Sequence, residues 1–120
     1  MGYNTEFQGQ FKITPQLDTK VLCEVAEFCR NRHDNEGPGI SGAPWCDWMF
    51  AHEPDCSVMY WNGSEKSYSM LEWALYLKDK FFPESKVEGV IQARGEEFSD
   101  LWSMVADSKT NTIKRVNGWK

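Results

Sequence analysis

The two histidines stand closest to acid–base chemistry. His33 is followed by Asp34, and His52 by Glu53 and Asp55. An imidazole oriented by a carboxylate is the arrangement of a general base. An exposed loop histidine has the same look, and no Ser or Cys beside either one belongs to a nucleophile motif. A second feature is Asn62-Gly63-Ser64-Glu65-Lys66-Ser67, where backbone amides at a helix start could hold an anion and Lys66 adds charge. The G-x-x-x-x-G-K-[ST] spacing of a P-loop is absent. His33, His52, Ser64 and Lys66, with the loop at 31–44, are the candidates for a small-molecule or nucleotide site and for a small enzyme.

The four cysteines are Cys23, Cys29, Cys46 and Cys56. No CxxC pair exists, so the zinc-ribbon and thioredoxin patterns are excluded. Cys23 and Cys29 lie about 240° apart around a helix and share no face. No metal and no cofactor is expected, and a reducing cytoplasm would keep the cysteines as thiols.

Aromatic residues carry the other signal. Trp45, Trp48, Tyr60 and Trp61 fall in two short runs separated by His52-Glu53-Pro54-Asp55. Trp73 and Tyr76 lie off the apolar stripe of a later helix. Exposed Trp and Tyr are favoured interface anchors, so Trp45, Trp48, Trp61, Trp73 and Tyr76 are the candidate partner-binding residues. Core packing is the competing use of the same side chains. Glu96, Glu97 and Asp100, with Glu84 and Glu88, form a candidate acidic edge suited to a basic partner.

Positioning these residues takes a single domain spanning 1–120. Residues 3–13 alternate, with Tyr3, Thr5, Phe7, Gly9, Phe11 and Ile13 on one side, which predicts a strand with one buried face. Asp18 is an N-cap for a helix over 19–32, with Val21, Leu22, Val25, Phe28 and Cys29 as its stripe. Residues 31–44 are a long Gly- and Pro-rich loop. The runs 45–51 and 57–61 predict a strand hairpin. Ser69 and Glu72 have capping-box spacing, opening a helix with Leu71, Ala74, Leu75 and Phe82 as its stripe, broadened by Met70, Leu77 and Phe81, and Pro83 closing it. Strands follow at 87–94, 101–106 and 112–116. The expected fold is α+β in the order β-α-β-β-α-β-β-β. Its first six elements match the ferredoxin-like order, with a C-terminal hairpin and two helices on one face of an antiparallel-rich sheet.

The formal net charge of −5 argues against nucleic acid, since phosphate binding needs clustered Lys and Arg. The RNP1 stretch of an RRM is also missing at 57–61. No apolar run approaches membrane-spanning length, and residues 1–6 carry no secretory pattern. A protein made and kept in a cytoplasm is the expectation.

Four ordered stretches resemble a family of short bacterial and phage proteins without an assigned activity. Tyr3-Asn4-Thr5-Glu6-Phe7, with Gly9 and Phe11, matches its Y-D-T-E-F-x-G-x-F motif. Pro44-Trp45-Cys46-Asp47-Trp48 is similar to its L-W-C-Q-W. Tyr60 to Tyr68 and Glu72-Trp73-Ala74-Leu75-Tyr76-Leu77 follow in the family's order. Asn4, Asp47 and Ser67 depart from the pattern, and the 34–44 loop is shorter than in many relatives. The resemblance carries no catalytic residue. It implies a compact accessory protein of a phage or mobile element, of the kind that binds and blocks a host defence or metabolic protein. A non-enzymatic protein-binding role is therefore the leading expectation, and a second copy of the chain is a further candidate partner.

Overall fold

The computed structural model describes residues 3–120. Helices and strands run in the order β1 (Thr5–Thr14), α1 (Thr19–Cys29), a short 3-10 turn (Gly37–Ser41), β2 (Trp48–His52), β3 (Ser57–Trp61), α2 (Met70–Phe81), β4 (Lys86–Gly95), β5 (Leu101–Asp107) and β6 (Thr112–Asn117). This is an α+β protein with a six-stranded sheet in the order β2-β3-β1-β4-β5-β6. Every adjacent pair is antiparallel.

The alternation in β1 decides which face is covered. Phe7, Phe11 and Ile13 are buried, while Glu6, Gln8, Gln10 and Lys12 face solvent. The buried side chains join Val25 of α1 and Trp73, Ala74 and Leu77 of α2 in one core. Both helices therefore lie on one face, and the C-terminal residues cover part of the other through Ser103 and Gln92. Burying each large apolar side chain contributes about 1.5–3 kcal/mol.

β1 and β4 approach closely at two glycines. Gly9 has φ +107°, and a Cβ there would sit 2.5 Å from the Val90 carbonyl oxygen. Gly89, opposite Phe11, has φ +135° and would meet the Gln10 oxygen at 2.6 Å. Only glycine fits such backbone without strain.

Helix α1 follows its sequence pattern, and Asp18 caps it by accepting from the Lys20 amide at 3.2 Å. Helix α2 buries the expected Met70, Ala74 and Leu77 and departs from expectation at Trp73 and Leu75. Its buried side is Met70, Trp73, Ala74 and Leu77, whereas Leu75 is exposed. These positions recur at i, i+3, i+4 and i+7 and form a complete helical stripe. Ser69 is not a side-chain cap: it sits in the left-handed region, with φ 55°, and its carbonyl accepts from the Trp73 amide at 2.8 Å. Strand β2 begins at Trp48 rather than Trp45, which makes only an isolated bridge to Arg32.

No helix among the described residues is long and apolar enough to cross a membrane.

Candidate interaction surface

Two of the five aromatic candidates are core. Trp48 is buried on β2, stacks on Phe11 at 5.8 Å, and donates its indole N–H to the Met70 carbonyl at 3.0 Å. Trp73 is fully buried and donates to the Ala43 carbonyl at 2.9 Å. Neither ring can touch a partner in this fold, which corrects their placement at a solvent face. The reason is local: β2 turns Trp48 toward the helices, and the stripe of α2 runs through position 73.

Trp61 and Tyr76 are half-buried and engaged. Trp61 packs edge-on to Phe7 and donates to Ser67 Oγ at 2.8 Å. The Tyr76 hydroxyl donates to the Glu36 carboxylate, tying α2 to the loop. That bond is the main cause holding the Glu36 carboxyl below its ordinary value. Burial opposes it, and Lys80 and His33 reinforce it. The same bond pushes Tyr76 up to about 12. Trp45 alone of the five is well exposed, at 48%, with the Arg32 guanidinium 6.0 Å over its ring.

The residues of the small-molecule reading do not converge. The His33 ring stacks on Phe28 at 3.7 Å, with Nε2 at 2.6 Å from the Phe28 carbonyl and Nδ1 at 3.5 Å from Glu36. It serves to anchor the loop. His52 Nδ1 lies 3.0 Å from Ser57 Oγ. That is a base beside a hydroxyl, but Ser57 is fully buried and already accepts from the Leu17 amide at 2.9 Å, so no substrate can reach it. Ser64 and Lys66 occupy the turn after β3. The anion expected there is the chain's own: Asn62 Nδ2 donates to the Asp47 carboxylate at 3.3 Å, and the Asn62 amide to the Asp47 carbonyl at 3.1 Å. Burial raises the Asp47 carboxyl above its ordinary value, and hydrogen bonds from Asn62, Ser67 and Ser64 partly counter this. Among the described residues, no group of three or more His, Cys, Asp or Glu is placed to hold a metal ion.

The acidic edge gathers more. The 95–100 connection is held by the N-terminal segment. Tyr3 donates its hydroxyl to Asp100 at 2.7 Å and accepts from the Glu97 amide at 3.0 Å, and the Asn4 amide donates to Glu96 at 2.6 Å. Held this way, the connection presents Phe98 fully exposed. Beside it opens a cleft of about 860 Å³ lined in part by Glu6, Glu96, Glu97, Leu101 and Trp119. Trp119 donates its indole N–H to the Ala93 carbonyl at 2.9 Å, which fixes a half-exposed ring at the cleft wall. Arg94 is the one basic group in the lining and is paired with Glu6 at 2.9 Å. Glu6, Glu96 and Glu97 therefore share the cleft lining with the exposed Phe98, Leu101 and Trp119. Phe98, Leu101 and Trp119 were missed at the sequence level. Their only signal was the acidic run around Phe98, because the tail and the connection meet only in the folded chain.

No family model, curated protein or solved structure matches the chain at a significant level.

Proposed function

We propose that the protein is a non-enzymatic binding module that recognises a basic segment of another protein carrying an apolar anchor residue. The observation that carries this reading is Phe98, fully exposed among Glu96, Glu97 and Asp100 at the mouth of the cleft formed with Leu101 and Trp119. An exposed aromatic on an anchored connection is a hot-spot arrangement. The acidic rim supplies electrostatic complementarity to Lys and Arg. The pinned Trp119 ring lowers the ordering cost of binding.

The resemblance to short bacterial and phage proteins supports an accessory role in a phage or mobile element. There the module would work in the bacterial cytoplasm by blocking a host protein, such as a defence factor. The order β2-β3-β1-β4, antiparallel throughout, supports reading the first six elements as a ferredoxin-like unit extended by the β5–β6 hairpin.

The test is capture from bacterial lysate on the immobilised protein, followed by amide hydrogen exchange of the purified complex. The expected footprint is protection across 95–101 and 117–120. Protection confined to Trp45 and the β2 edge would move the interface, and no partner at any salt concentration would refute the reading.

A further inference from the structure

Two of the four cysteines meet across the fold. Cys29 ends α1, Cys46 lies just before β2, and their Sγ atoms are 3.3 Å apart. Cys46 is buried, whereas Cys29 is partly exposed. Cys29 lines a second cleft of about 320 Å³ with Ala26, Arg30, Met49 and Phe50. One thiol can therefore be reached from solvent, and the other waits behind it.

We propose that Cys29 and Cys46 are a thiol–disulfide exchange pair, oxidised by a small disulfide of the glutathione class that enters the cleft beside Cys29. The Cys29 thiolate attacks one sulfur of the small disulfide, forming a mixed disulfide and expelling the first thiolate, which takes up a proton. Cys46 then attacks the Cys29 sulfur, and its proton passes to the second small thiolate as that group leaves. In sum, two protein thiols are oxidised to one disulfide, and one small disulfide is reduced to two thiols. The order of attack follows from geometry, because only Cys29 faces the cleft. Hydrogen bonding to Cys29 and burial both push the Cys46 thiol up, in keeping with its place as the second, resolving thiol. Closing the bond brings the sulfurs to about 2.05 Å, a movement of about 1 Å. The cross-link spans 17 positions and staples the end of α1 to the start of β2. The loop at 31–44 then becomes a closed ring.

The test exposes the native protein to oxidised glutathione, blocks remaining thiols under denaturing conditions, and maps the products by mass spectrometry. Cleavage after glutamate separates Cys23 from Cys29 at Glu24, and Cys46 from Cys56 at Glu53. The expected product is one Cys29–Cys46 bridge with Cys23 and Cys56 left free, and a thermal midpoint raised by about 5–10 °C. Cys46→Ser should instead trap a stable glutathione adduct on Cys29. If that variant does not fold, the wild-type map decides alone. A lasting adduct on wild-type Cys29, a bridge involving Cys23 or Cys56, or no reaction at Cys29 would each overturn the proposal.

Discussion

Trp73 donates its indole N–H to the Ala43 carbonyl over 2.9 Å while its ring lies fully buried beneath the 31–44 loop. A side chain of α2 thus fastens a loop that has no regular structure beyond one short 3-10 turn. Phe28, stacked with His33 and edge-on to Trp73 at 6.0 Å, continues the same contact into α1.

Trp73→Phe keeps most of the ring and removes the donor, leaving the Ala43 carbonyl without this partner. The expected loss is about 1–3 kcal/mol of unfolding free energy. Trp73→Ala adds a cavity, and its loss should reach about 3–5 kcal/mol. Urea denaturation followed by circular dichroism reads both. Equal losses would mean that the hydrogen bond carries the whole effect and the cavity adds nothing, whereas a Trp73→Phe variant as stable as wild type would mean that the bond contributes nothing.

Gly9→Ala places a Cβ 2.5 Å from the Val90 carbonyl oxygen on backbone at φ +107°. Strain of about 1–3 kcal/mol is expected, beyond ordinary surface substitutions. Gln8→Ala on the solvent-facing side of β1 is the control, and only the glycine variant should lower the denaturation midpoint markedly.

Tyr76→Phe removes the bond to Glu36. Glu36 is held below its ordinary value of 4.5, so its contribution is present above about pH 4.5 and is lost as pH falls through the folded-state value. Tyr76 is raised to about 12 from 10.0, so its contribution is present below pH 10 and is lost as pH rises toward 12. The difference between wild type and variant should form a plateau between about pH 5 and 10 and shrink on both sides. Glu36 is 37% exposed, so screening keeps the plateau near 1 kcal/mol. A difference that does not vary with pH would show that the bond is not charge-assisted.

Asp47→Asn has the opposite sign. Burial raises the Asp47 carboxyl above 3.8, so its protonated form favours the fold, and that advantage is lost as pH rises through the raised value. Asn should match or exceed wild-type stability at pH 7, by about 0.5 kcal/mol, and lose the advantage below about pH 4. Thermal unfolding at the two pH values measures this. Destabilisation at pH 7 would instead show that the turn at 62–67 requires the carboxylate.

Much of the fold was legible because apolar periodicity is a local signal. The alternation from Phe7 to Ile13, the stripe Val21-Leu22-Val25-Phe28 and the Asp18 cap all appear as the residues imply. The stripe of α2 was legible in part, because two i, i+3, i+4 series overlap there and only one is buried. Leu75 looked like core but is exposed, whereas Trp73, expected off the stripe, is fully buried beside Met70, Ala74 and Leu77. A tryptophan's burial depends on the packing of the whole fold, so Trp48 and Trp73 could not be separated from exposed Trp45 by type or spacing. The meeting of Cys29 with Cys46, and of Trp119 with the Phe98 cleft, joins segments distant in sequence. No local pattern encodes such contacts.

The most direct test of the binding surface is the affinity of the captured partner for Phe98→Ala. Phe98 is fully exposed, so stability should stay within about 0.5 kcal/mol of wild type. Affinity, measured by calorimetry at two salt concentrations, should fall about tenfold or more. Wild-type affinity should itself weaken as salt rises. Unchanged affinity for Phe98→Ala in a stably folded variant would contradict the assignment of this cleft as the interface.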